Sequence, residues 1–292
     1  MRKINVAYFF IFPTLFFFCT FMLVPLILEF YISLAERVPG VLGLLDMKFV
    51  GLKNIFVLLT DETYIKSLVN TFIFLFADLG IKMPLALATA LAFNRKFVGK
   101  RLALALLVIP WALPEIPYYL AMRFIYNLDF GLLPYILSCL GFESPDFLGD
   151  PNIAIYSVIA AHVLKSLPFW TLVFLAALQS IPVDLYDASK VDGAGIWDTF
   201  RHVTIPMIKN VIIVNYTLSF VWMMGEFNSV WILTRGGPNY ASNIISTYAY
   251  TKAFLLLELN LGTACFVIII PLLVLIITLV LRGGLLKLGG TA

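Results

Sequence analysis

Charge is scarce in this chain: 13% of its 292 residues are Asp, Glu, Lys or Arg, 61% are apolar, and the mean hydropathy is +0.97. That excludes an ordinary water-soluble domain, in which about a quarter of the residues are charged. Histidine is scarcer still, with only His162 and His202, and the three cysteines are Cys19, Cys139 and Cys265. Such small and scattered sets offer no disulfide framework, no metal cluster and no catalytic constellation. A phosphate-cradling glycine loop of the G-x-x-x-x-G-K-[ST] kind is also missing, so the chain supplies no nucleotide site. The polar stretches between apolar runs reach only about three dozen residues, too short for a soluble domain. One membrane domain over residues 1–292 is therefore expected, all-α, with no catalytic residue, metal or nucleic-acid partner.

What is abundant is long apolar runs. A spanning helix needs about 20 mostly apolar residues, because every backbone N–H and C=O must be satisfied within the hydrocarbon. Six such runs occur, near Val6–Leu28, Ser67–Phe93, Leu102–Tyr126, Ile153–Leu178, Val211–Leu233 and Leu261–Leu281. The first follows Arg2 and Lys3, but it is too long for a signal-peptide core and reads as a retained span. Placing both termini in the cytoplasm puts eleven Lys and Arg inside: Arg2, Lys3, Arg95, Lys96, Lys100, Arg101, Lys190, Arg201, Lys209, Arg282 and Lys287. Six remain outside: Arg37, Lys48, Lys53, Lys66, Arg235 and Lys252. Positive charge near span ends is retained in the cytoplasm, so this orientation is favoured. The outer segment Ala35–Lys66, with Pro39, Gly40, Gly43 and Gly51, reads as a loop or a helix on the membrane surface.

The cytoplasmic segment between spans four and five differs from a plain loop. Asp184 can cap a short helix after Pro182, with Asp187 in its first turn. Gly193, Ala194 and Gly195 break that helix, and Ile196, Phe200 and Val203 share one face of a second, which stops by Pro206. Apolar helix faces exposed in this way mark a surface for a partner.

The same residues carry a family resemblance. Asp187-Ala188-Ser189, three residues, Gly193, nine residues, then Val203-Thr204-Ile205-Pro206 resembles the E-A-A, G, I-x-L-P signature of ABC importer permeases. Asp stands for Glu, Ser for Ala, Val for Ile and Ile for Leu, at unchanged spacing. Pro110-Trp-Ala-Leu-Pro114, Asn127-Leu-Asp-Phe-Gly131, Leu178-Gln-Ser-Ile-Pro182, Asp192-Gly-Ala194 and Thr234-Arg-Gly-Gly-Pro238 are similar to the sugar-uptake permeases related to the maltose transporter. The resemblance implies the type I importer permease fold with segment 181–209 as a coupling-helix loop. It implies a sister permease, two copies of a cytoplasmic ATPase that carry ATP and magnesium, and an extracytoplasmic binding protein that delivers a carbohydrate. No cofactor is expected in this chain. Coupling to the ATPase falls on Asp187, Ala188, Ser189, Asp192, Gly193, Ala194 and Phe200.

Ionisable residues within spans are costly and mark function by default. Asp78 and Lys82 lie four apart and are expected to pair. His162, Lys165, Ser166 and Phe169 form a stripe on span four, and Ser219, Trp222, Met223 and Glu226 form another on span five. Two readings remain open from spacing: helix packing, or the walls of one cavity. The resemblance favours the cavity, since these positions match those that contact sugar in maltose-type permeases. Lys165, if free, would suit an anionic solute; paired with Glu226 it would suit a neutral sugar, which is the expectation. A different class of function, an ion-gradient carrier using Asp78, Glu115 and Glu226, needs no ATPase and gives the cytoplasmic segment no task.

Overall fold

The computed structural model describes residues 6–37 and 47–285; Arg2, Lys3, Pro39, Gly40, Gly43, Lys287 and the side chain of Arg282 lie outside the described residues. Among the described residues, five helices are long and apolar enough to cross a membrane: Phe10–Ser33, Glu62–Asn94, Ala154–Gln179, Ile196–Met224 and Leu259–Ile276. Lys100–Ala112 and Glu115–Ile125, bent by 99°, make the sixth span when counted together.

In chain order the elements begin with α1 (Val6–Phe18), α2 (Val24–Ser33), β1 (Ala35–Arg37), β2 (Met47–Phe49), α3 (Lys53–Thr60) and α4 (Glu62–Asn94). They continue with α5 (Lys100–Ala112), α6 (Glu115–Ile125), α7 (Leu132–Cys139), α8 (Ala154–Gln179), α9 (Val183–Val191) and α10 (Ile196–Thr199). The last are α11 (Ile205–Met224), α12 (Asn228–Leu233), α13 (Ile245–Tyr250) and α14 (Leu259–Leu285).

The described residues divide into two compact units, one reaching to Ile65 and including Tyr248–Leu273, the other Lys66–Thr247 with the residues from Val274. In the first unit, the segment expected as a loop or surface helix holds α3 and also an antiparallel strand pair, with Ala35 opposite Phe49. Buried Asn54 explains the pairing: its amide donates to the carbonyls of Ser33 (2.8 Å) and Ala35 (2.9 Å), and its oxygen accepts from Asn260 at 2.9 Å. A Cβ on Gly262 would stand 2.6 Å from that of Ala253, so only glycine permits this close approach. Asp61 accepts from the Tyr248 hydroxyl at 2.7 Å. Burial by itself would raise the Asp61 pKa, but that bond, the amides of Tyr64 and Thr63 and the Lys252 charge hold it below the ordinary value.

In the second unit α8 is central, with α5, α6, α11 and α12 packed against it. The break between α5 and α6 follows from sequence: the residue before a proline is driven to extended backbone, and Leu113, before Pro114, has φ −66° and ψ 141°.

Three expectations about the fourth-to-fifth connection need correction. Asp184 lies inside the first turn of α9, the N-cap being Pro182, and no side chain caps the end. Asp187 stands beyond that turn and pairs with Lys190 at 2.8 Å. The second helix does not stop at Pro206. A π turn at Phe200–Thr204, closed by the Ile205 amide on the Phe200 carbonyl, carries α10 into α11, so Pro206 lies inside a continuous helix. The fifth span accordingly ends at Met224, and Glu226 lies past the helix end, beyond Gly225.

Candidate functional site

The two predicted stripes line one cavity of about 470 Å³ in the second unit. His162, Lys165, Ser166 and Phe169 come from α8; Ser219, Trp222 and Met223 come from α11, and Glu226 from the turn after it. The cavity also takes in Lys82, Trp111, Glu115, Tyr119, Trp170 and Asn228, which the stripes missed. The signal for Trp111 and Glu115 lay in the proline-broken stretch, since a bent span turns its corner inward. Asn228 gave no signal beyond its closeness to Glu226.

Aromatic rings form one wall. Phe169 lies 5.6 Å from Trp111, 5.0 Å from Trp170 and 5.7 Å from Trp222, and Trp170 lies 5.6 Å from Trp222. Trp111 and Trp222 remain 45% and 58% exposed, so ring surface is open to the cavity.

Behind this wall runs a chain of charges. Asp78, fully buried, pairs with Lys82 as expected, and its other oxygen lies 2.6 Å from Nδ1 of His162. Nε2 of His162 lies 3.6 Å from Glu226. The Lys82 ammonium also stands 3.8 Å from the Met223 sulfur and 5.9 Å from the Trp170 ring. Removing one member of such a buried network leaves its partner uncompensated. Asp78→Asn and His162→Ala are therefore expected to be non-additive in stability, with a coupling of about 1–3 kcal/mol in a double-mutant cycle. Strict additivity in thermal unfolding would argue against the network.

Lys165 does not pair with Glu226. Its ammonium donates to the carbonyls of Pro110 (2.9 Å), Trp111 (3.1 Å) and Leu113 (2.5 Å). The sequence explains why those oxygens are available. A helical carbonyl accepts from the N–H four residues on. For Pro110 that residue is Pro114, which has no N–H, and for Trp111 and for extended Leu113 the break removes the partner. One ammonium has three donors, and here three orphaned carbonyls meet them.

Glu226 has a structural duty too: one oxygen accepts from the Ser229 amide at 2.8 Å, at the start of α12. Glu115 accepts from the Asn228 amide at 2.5 Å. Ser219 is 1% exposed, and its hydroxyl has no hydrogen-bond partner among the described residues.

The coupling candidates gather at the other end of α8. Gly193 takes φ +77°, the left-handed conformation a side chain disfavours. Its amide donates to Lys190 O (3.1 Å) and that of Ala194 to Ser189 O (2.9 Å), the two bonds of a Schellman cap. Asp187, Ala188, Asp192 and Gly193 are exposed, and Ala194 and Phe200 half-buried. Ser189 instead turns inward, its hydroxyl donating to Tyr186 O (2.8 Å) and lying 3.3 Å from that of Thr199. Val191, Ile196 and Trp197 leave an apolar surface open to solvent.

Comparison with known proteins agrees with this arrangement. Residues 82–285 match the family described as binding-protein-dependent transport system inner membrane component. The trehalose/maltose transport system permease protein MalF of Thermococcus litoralis is 34% identical over 249 residues, covering 85% of this chain and 83% of that one. The inner membrane ABC transporter permease protein YcjO of Escherichia coli is 29% identical, covering 80% of each. A chain in the crystal structure of a bacterial alginate ABC transporter with its alginate-bound periplasmic protein superposes with a TM-score of 0.83 at 20% identity, covering 95% of this chain and 93% of that one. The ion-gradient alternative falls with these matches, and the chain belongs to the inner membrane components of binding-protein-dependent transport systems: it is an ABC importer permease, a transport subunit and not an enzyme.

Proposed function

We propose that this chain, with a sister permease, forms the path of a sugar or oligosaccharide handed over by an extracytoplasmic binding protein. Two copies of a cytoplasmic ATPase, loaded with ATP and magnesium, drive the cycle, and both termini face the cytoplasm. His162, Lys165, Ser166, Phe169, Ser219, Trp222, Met223 and Glu226 belong to the solute site, Lys165 by holding the broken span that forms part of its wall and Ser219 from beneath the surface. Segment 181–209 meets the ATPase through Asp187, Ala188, Ser189, Asp192, Gly193, Ala194 and Phe200, with Ser189 acting from within the loop.

The single observation that carries this reading is the joining, in one cavity, of open aromatic faces with oxygen acceptors that are not fully engaged. A pyranose presents an apolar face that stacks on Trp222 or Phe169, and hydroxyls that donate to Glu226. The sugars named for the relative of 34% identity support the solute class, and the exposed Val191, Ile196 and Trp197 support the docking assignment.

The test is ATP-dependent uptake of a labelled carbohydrate panel into proteoliposomes holding this chain, its sister, the ATPase and the binding protein. Glu226→Ala is expected to weaken apparent solute affinity about tenfold, the loss of one charge-assisted hydrogen bond. An unchanged half-saturation with intact uptake would remove Glu226 from the solute site; uptake that ignores ATP would remove the whole scheme.

A further inference from the structure

We infer that the cavity selects by charge: it accepts saccharides that are uncharged or carry an amine, and it turns away those bearing a carboxylate, sulfonate or phosphate. This rests on the sugar reading and adds the sign of the solute to it.

Lys82, Lys165, Glu115, Glu226 and His162 are the cavity side chains that carry or can gain charge near neutral pH, and the two ammonium groups are already engaged. Lys165 directs its donors at three carbonyls of the broken span. Lys82 is paired with Asp78, is 1% exposed and lies against Met223 and Trp170. An anion entering the cavity therefore finds no unengaged ammonium among the described residues that line it.

The carboxylates are in the opposite state. A carboxylate has about four acceptor positions. Glu115 uses one on Asn228. Glu226 uses one on the Ser229 amide, and its second oxygen stands 3.6 Å from His162, beyond a normal hydrogen bond. Both keep lone pairs for hydroxyl or ammonium donors. His162, the remaining group, is held between Asp78 and Glu226, so its charge when protonated is answered from both sides. The rings of Trp111, Phe169 and Trp222 add faces of negative potential, which attract cations and repel anions.

The experiment reads the sign of the cavity without needing its natural solute. In the reconstituted assembly, tryptophan fluorescence is quenched with caesium, acrylamide and iodide, and the cavity component is the part lost in Trp111→Phe/Trp222→Phe. Caesium is expected to outperform iodide relative to acrylamide by about tenfold, the enrichment a charged cleft gives its counter-ion. Glu115→Gln/Glu226→Gln is expected to remove most of that preference. Equal quenching by the two ions, or a preference unmoved by the double variant, overturns the inference.

A second arm titrates the same fluorescence with maltotriose, deacetylated chitobiose and digalacturonate. Perturbation by the first two alone supports the proposal, and perturbation by digalacturonate at similar concentration overturns it. If no saccharide perturbs the signal while the caesium preference stands, the sign of the cavity is upheld and the sugar reading on which it rests falls.

Discussion

Gly193→Asp is expected to leave the assembly intact in the membrane while ATP hydrolysis continues and solute uptake falls by an order of magnitude or more. Gly193 caps α9 at φ +77° with a pair of backbone bonds, and a Cβ there would meet nothing within 4 Å. Crowding within this chain is therefore not the issue, and two other effects remain to be separated. One is backbone strain, about 1–3 kcal/mol for a residue held where its side chain disfavours the backbone. The other is a new negative charge on an exposed surface beside Asp192. Asn tolerates the left-handed region and carries no charge, so Gly193→Asn should transport nearly as wild type does. Gly193→Val, uncharged but β-branched, should fail through the backbone. Uptake per ATP hydrolysed, measured for all three in proteoliposomes, gives the ordering Gly, Asn, then Asp and Val. Normal coupling in the Asp and Val variants would withdraw the coupling assignment of this turn.

Lys165→Met is expected to lower stability by on the order of 3 kcal/mol, because three carbonyls lose their donor and each buried acceptor left unmet costs about 1–3 kcal/mol before relaxation. The thioether chain fills a similar volume, so packing is largely kept. Lys165→Arg should recover only part of the loss: a planar guanidinium fixes its donors in a fork, whereas an ammonium turns three donors toward oxygens on one convergent turn. Thermal unfolding of the purified protein should place the variants in the order wild type, Arg, Met, several degrees apart. An unchanged midpoint in the Met variant would mean that the break between α5 and α6 holds itself, and that Lys165 is available to the solute after all.

The six spans were legible because the membrane imposes length and hydrophobicity on each, and both can be counted along the chain. Their ends were less legible. Pro206 reads locally as a stop, yet the widened turn at Phe200–Thr204 carries the helix past it. The strand pair was invisible because its reason, Asn54, lies five residues past β2 and acts across space. Within the cavity, helical spacing brought out the α8 and α11 stripes, since residues three and four apart share a face whatever their neighbours do. Spacing says nothing about partners from other helices. It therefore left Lys165 between two alternatives, anion receptor or partner of Glu226, when the proline-broken turn between α5 and α6 had prepared a third. The link from Asp78 to His162 spans 84 positions and gave no local trace.

The π turn at Phe200–Thr204 has a mechanical consequence. Because it continues the helix instead of ending it, Ile196–Met224 is a single beam of 29 residues, about 43 Å long at 1.5 Å per residue. One tip carries Trp197, and the other stops at Gly225, the residue before Glu226. A beam pivoting about one tip by 5° displaces the other by about 4 Å, more than the length of a hydrogen bond. A flexible joint at Pro206 would have absorbed that swing; an unbroken helix delivers it, so a modest tilt at one end is enough to make or unmake the hydrogen bonds at the other.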